Sequence, residues 1–104
     1  MYRHREFAQV VYGRWNDFIK AQHELNAIAR KRSWPESSIW APVVGTGNQV
    51  AVEREFADLT AFAKFQEAFQ SDSDAMKIYR GMSSLVVQGS VHDELFQEVI
   101  GLLA

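Results

Sequence analysis

Cysteine is absent from this 104-residue chain, which excludes a disulfide framework, a thiol nucleophile and a thiolate metal site together. Histidine is scarce: His4, His23 and His92 are the only imidazoles, and no two have the spacing of a helical zinc pair. An excess of charge of one sign is also missing. With 11 basic and 13 acidic residues the formal net charge is -2, which leaves no electrostatic footprint for nucleic acid. The one basic cluster, Arg30-Lys31-Arg32, falls at the predicted end of a helix, where it complements the negative end of the helix dipole. No apolar run approaches the ~18 residues needed to span a bilayer. The opening MYRHREFAQV is charged and strand-like where a secretion signal would be apolar. Hydrophobic residues make up 47%, enough for a real core. These numbers point to a single domain over residues 1–104 in the cytoplasm.

The hydrophobic spacing gives an order of elements. Tyr2–Val11, rich in aromatic and β-branched residues, reads as a strand. Gly13 breaks it, and Trp15, Phe18, Ile19, Gln22, Leu25, Ile28 and Ala29 then fall on one helical stripe. Trp34-Pro35 marks a loop, because the residue before proline is pushed out of helical geometry. Ser38–Val44 reads as a second strand in which Pro42 argues for an edge or a bulge. Gly45-Thr46-Gly47-Asn48 is hairpin chemistry; it precedes a strand, so it is no phosphate cradle. Gln49–Ala57 is the third strand, and Asp58 the N-cap of a second helix carrying Leu59, Phe62, Phe65 and Phe69. A second cap in Ser71–Asp74 restarts a helical stripe that runs to about Val86. Gln88-Gly89-Ser90 turns the chain into a last strand, Val91–Val99. The expected fold is α+β: a βαββαβ, ferredoxin-like chain with a four-stranded antiparallel sheet and helices on one face. The uncovered sheet face, with its Val, Trp and Phe side chains, is expected to be buried against a second copy.

Glu53-Arg54-Glu55 interrupts the third strand with three charges. With a period of two, Val50, Val52 and Phe56 face the helices with Arg54 near the rim, and Ala51, Glu53 and Glu55 face the partner sheet. Arg3 and Arg5 share one face of the first strand, and His4 and Glu6 share the other. The charges make sense if the uncovered face lines a polar, partly wet cavity between two subunits, since an unpaired buried charge is very costly.

The strand containing Arg5-Glu6-Phe7 followed by a glycine and an amphipathic helix resembles NIPSNAP-like proteins. So do Trp40-Ala41-Pro42-Val43-Val44-Gly45 with Asn48, the strand end Glu53-Arg54-Glu55-Phe56 before a helix, and the turn Gly89-Ser90-Val91. These features run along essentially the whole chain. The resemblance implies a subunit of a dimeric α/β barrel, whose relatives include cofactor-independent monooxygenases and haem-degrading enzymes. It implies no catalytic residues, and no general activity is established for single-domain members.

The candidate cavity residues are Tyr2, His4, Glu6, Trp40, Glu53, Glu55 and His92. Glu53 and Glu55 read either as paired carboxylates, one of them a general base, or as an ion-pair set holding strands and subunits in register. His4 and His92, on predicted outer strands, read as cavity acid–base groups or as hydrogen-bonded structural residues; His23 reads as solvated. Tyr2, Trp34 and Trp40 read as the floor of an aromatic pocket, and Trp15 with the phenylalanines as core. The leading functional expectation is a homodimer, or a higher oligomer, with a small-molecule cavity between its sheets and monooxygenase-like chemistry. The alternative is a non-enzymatic assembly or binding module. No metal and no cofactor are expected, haem on His4 or His92 being the third reading.

Overall fold

The structure, a computed structural model, describes residues 1–100. Its elements are β1 (Tyr2–Gln9), α1 (Trp15–Arg32), β2 (Ser38–Trp40), β3 (Gln49–Phe56), α2 (Leu59–Ser71), α3 (Ser73–Gly81) and β4 (His92–Gln97), with a 3-10 turn at Met82–Leu85 after α3. The strands form one antiparallel sheet in the order β2-β3-β1-β4. This is the ferredoxin-like α+β fold expected, with the second helical segment broken in two.

The break has a local cause. Asp58 caps α2 by accepting the Ala61 amide at 2.7 Å, and Asp72 caps α3 by accepting the Ala75 amide at 2.9 Å. Each carboxylate satisfies an amide that a helix start leaves without an intrahelical partner. The other half of Asp72 accepts from Arg32 Nε at 2.8 Å, so the basic end of α1 is tied to the start of α3. Arg30 is held by Glu36 in the same manner at 2.7 Å. Gly13, at φ 88, turns β1 into α1, a conformation that costs a residue without a Cβ little.

Ala8, Val10, Val50 and Val52 from the sheet pack with Phe18, Leu25, Ala75, Met82 and Leu85 from the helical layer to form the core. The alternation expected for β3 therefore holds, with Val50, Val52 and Phe56 buried. Three expectations are corrected. Val43 and Val44 lie outside β2, which stops at Trp40, and they are essentially fully exposed; Pro42 has no N–H to continue the ladder. Trp15 opens α1 at its exposed end and is 36% exposed, so it belongs to the rim and not the core. His4 sits on a central strand, because β1 lies between β3 and β4.

Candidate functional site

The register sorts the candidate residues onto two faces. Across β1 and β3, Arg3 stands opposite Glu55, Arg5 opposite Glu53, His4 opposite Arg54 and Glu6 opposite Val52. Across β1 and β4, Glu6 stands opposite Asp93 and Phe7 opposite His92; across β2 and β3, Trp40 faces Ala51. Directly opposed residues share a face. Tyr2, His4 and Glu6 thus lie on the helix-covered face with Val52, Arg54 and Asp93. Trp40, Glu53, Glu55 and His92 lie on the uncovered face with Arg3, Arg5 and Phe7. The seven residues are not brought together.

On the uncovered face the charges are matched in pairs. Arg5 Nε is 2.7 Å from Glu53 Oε2, and Arg3 bridges Glu53, at 3.8 Å, and Glu55. The Arg5 N–H does not point along a hydrogen bond, so that contact is an ion pair by distance. Arg5 also lies 4.6 Å over the Phe96 ring, a cation–π placement. Phe7 stacks on His92 at 4.9 Å. Neither glutamate stands alone as a base would. Trp40 turns its indole N–H back to Ser38 Oγ at 2.9 Å.

The covered face is different. Between it and the helical layer runs a cleft in two chambers, of about 700 Å³ and about 360 Å³. Glu6, Gln22, Val52, Met76, Tyr79 and Val91 line both. The larger chamber continues into apolar walls from Ala8, Phe18, Met82 and Val86. The smaller one adds His4, Arg54, Asp93, Phe65 and Phe69.

At the boundary the Tyr79 hydroxyl donates to Glu6 Oε2 at 3.1 Å, joining α3 to β1. Burial first, then the Glu6 charge, pushes the hydroxyl up to about 12. It therefore stays protonated at neutral pH and serves as a donor. Arg54 reaches under α2: its Nε donates to the Pro35 carbonyl at 3.2 Å, and its guanidinium lies 4.8 Å over Phe65 and 6.0 Å from Phe69. Burial lowers its pKa, while Glu6 and Tyr79 oppose that shift; an arginine stays charged regardless. His4 Nε2 is 3.0 Å from Asp93 Oδ2, and its ring packs 5.4 Å from Phe62.

The decisive group is Gln22. It is 4% exposed, and its enclosed Oε1 accepts no hydrogen bond from the protein. Such an orphan costs about 1–3 kcal/mol, and buried polar atoms that lack a protein partner call for another source of donors. The cleft thus offers apolar walls, a carboxylate positioned by a tyrosine, a guanidinium on an aromatic shelf and, in the larger chamber, Arg80. Among the described residues no group of three or more His, Asp or Glu side chains could hold a metal ion. No helix among them is long and apolar enough to cross a membrane.

No protein-family model and no curated protein matches the chain in sequence. Solved structures match it in shape. A NIPSNAP family protein from Agrobacterium tumefaciens superposes with a TM-score of 0.77 over 94% of this chain and 92% of that one, at 13% identity. An uncharacterized NIPSNAP domain protein from Burkholderia xenovorans gives 0.78 over 95% of both, also at 13% identity. The chain has the NIPSNAP fold. An antibiotic biosynthesis monooxygenase shares the architecture more loosely, at a TM-score of 0.72 over 95% of this chain and 99% of that chain, with 9% identity. At such identities it is the fold that the NIPSNAP-like chain shares with them.

Sequence reasoning put His4 and Glu6 in a cavity between subunits, whereas they line the cleft under the helices; it did not single out Gln22, Tyr79 and Asp93, and it set Arg54 at the rim. One signal for Gln22 was there: it is the polar member of an otherwise apolar stripe on α1. Tyr79 sits within the stripe that continues through Met76 and Met82, where a phenol reads like any aromatic core residue.

Proposed function

We propose that the NIPSNAP-like chain is one domain over residues 1–104 that binds a small, mostly apolar molecule in the cleft between its sheet and helices. Of the candidate set, Tyr2, His4 and Glu6 belong to the ligand side. Trp40, Glu53, Glu55 and His92 belong to a face that pairs with a second copy in a homodimer. The observation that carries the ligand reading is the chamber of about 700 Å³ walled by Ala8, Phe18, Val52, Met76 and Met82, a volume in the range of small-molecule sites. The test is titration with Nile red, a neutral apolar dye. Saturable binding at a single site per chain is expected. It should be lost in Met76→Trp, which places a large ring where both chambers meet, with the helical circular dichroism unchanged. Dye binding that never saturates, or that survives the substitution, counts against the reading.

The assembly role of the other face is supported by its matched charges, Arg3 and Arg5 with Glu53 and Glu55, and by Phe96, 42% exposed beside them. Sedimentation equilibrium tests it: a dimer is expected, weakened in Glu53→Gln, and a monomer at all concentrations is the contrary result. Oxygenase-type chemistry is the finer reading. It is supported by Glu6, a carboxylate positioned by Tyr79 at the chamber boundary, as a proton acceptor for a quinol-like guest. Oxygen uptake with 1,4-dihydroxynaphthalene above the protein-free blank, lost in Glu6→Gln, is expected; uptake equal to the blank removes it.

A further inference from the structure

We infer that the cleft takes amphiphilic monocarboxylates, with the carboxylate held at its mouth by Arg80 and the apolar tail lying in the larger chamber. This rests on the cleft being a ligand site. The wall of the larger chamber is not uniform. Ala8, Phe18, Val52, Met76 and Met82 make it apolar inside. Arg80, Ser83 and Gln88 line this chamber and not the smaller one, and all three are exposed, which puts them at its mouth. Arg80 is in the last turn of α3, and Ser83 follows three positions later in the 3-10 turn, so the two stand on neighbouring turns. Guanidinium, hydroxyl and carboxamide can all donate hydrogen bonds. Arg80 also complements the negative end of α3, a role that asks for its charge and for none of its N–H groups.

The charges decide which head group the mouth accepts. Two charged side chains line the larger chamber, Glu6 and Arg80. Glu6 stands at the junction with the smaller chamber, where it accepts from the Tyr79 hydroxyl at 3.1 Å and Arg54 feels its charge. Arg80 has no carboxylate within 4.0 Å among the described residues. Beside the mouth, Arg80 and Met76 also border a shallow hollow with Lys77 and Asp72. Asp72 is engaged by Arg32 and the Ala75 amide, and Asp74 by Arg32 at 3.2 Å. The acids near the mouth are therefore matched, and Arg80 is left to pair with a guest. Its two parallel N–H groups fit a carboxylate. At an exposed mouth that carboxylate keeps part of its water and escapes the cost of burying a charge. An ammonium at the mouth meets a like charge, and to reach Glu6 it must leave water and cross the apolar wall. The tail of an acid seated on Arg80 lies along that wall and reaches Glu6 and Tyr79 only at its tip.

Calorimetry at neutral pH and low salt with octanoate and octylammonium separates the cases, since the two share a tail and differ in the sign of the head. Octanoate should bind about fivefold tighter, the effect of one ion pair that water still reaches, and added salt should shrink the difference. It should exceed hexanoate by about 15-fold, the effect of two further buried methylenes, and should displace Nile red. Arg80→Gln should erase the preference for octanoate over octylammonium, and Arg80→Glu should reverse it. Equal or tighter binding of octylammonium by the unaltered protein, a preference that survives Arg80→Gln, or octanoate binding that leaves Nile red in place overturns the assignment. So does the absence of binding by either ion where Nile red saturates its site, an outcome that leaves the cleft standing. Absence of binding by the ions and the dye alike overturns the site and the class together.

Discussion

Replacing Gln22 by Leu exchanges a carboxamide for a hydrocarbon of similar size at a position where 4% of the residue meets solvent. In the folded chain the Gln22 oxygen has given up water without gaining a protein donor. The substitution removes that burden of about 1–3 kcal/mol. The leucine branches differently against Phe18, Leu25 and Met76, and a shape mismatch of this kind subtracts up to about 1 kcal/mol. The net expectation is a gain of about 1–2 kcal/mol. For a domain of this length, each kcal/mol raises the melting temperature by about 4–8 °C, so a shift near 10 °C is in reach of ordinary calorimetry. Urea unfolding should show the same gain as a higher midpoint with an unchanged slope. Gln22→Ala is the control: it deletes the orphan but opens a hole, and it should not stabilise. If Gln22→Leu is neutral or destabilising, the carboxamide is already satisfied, and the reading of its oxygen as unpaired fails.

Three further outcomes follow from the same geometry. Tyr79 has its pKa raised to about 12 from an ordinary 10.0, so its stabilising contribution is complete below the ordinary value and is lost as pH rises toward about 12; an ultraviolet titration should show this late tyrosinate step, and Tyr79→Phe should remove it. Asp72 has its carboxyl pulled below 3.8, by Arg32 first and then by the Ala75 amide, so its contribution is present above that value and fades as pH falls through the depressed one. Asp72→Ala should lower the urea midpoint at neutral pH and flatten its decline in acid; an unchanged acid limb would refute the coupling of the α3 cap to the end of α1. Glu53, with only 12% of its side chain exposed between Arg3 and Arg5, should cost about 1 kcal/mol when replaced by Gln, the upper end for ion pairs that water still reaches, read from urea midpoints at a fixed protein concentration.

The fold was legible because its signals are local. The stripe on α1, the caps Asp58 and Asp72, the glycine turns and the alternation of β3 each depend on neighbours a few residues away. Face assignment along single strands was legible for the same reason: Val50, Val52 and Phe56 went under the helices, and Arg3 with Arg5 shared a face. What one strand does not show is which strand lies beside it. His4 and Glu6 were joined with Glu53 and Glu55 in a single cavity because all carry polar groups; the register puts a sheet between them. Gln22 escaped notice because a polar residue in an apolar stripe is ordinarily at the rim, and its enclosure depends on where Met76 and Tyr79 of α3 come to rest, more than fifty positions away. Arg54 is the same case: its length lets it leave the strand and lie on Phe65.

The two edges of the sheet bear on what this chain forms when it is crowded. A strand edge invites another strand, and repeated acceptance of that invitation gives fibres. β2 is three residues long and is followed within two positions by Pro42, which has no N–H to offer a newcomer. β4 is longer and exposed throughout, but it carries Asp93 and Glu94 side by side, one on each face. Two copies meeting there in antiparallel register would bring like charges together above and below the new ladder. Sideways growth is discouraged at one end by brevity and at the other by repulsion. Both edges therefore favour discrete particles over threads, and concentrated solutions of the protein should stay clear.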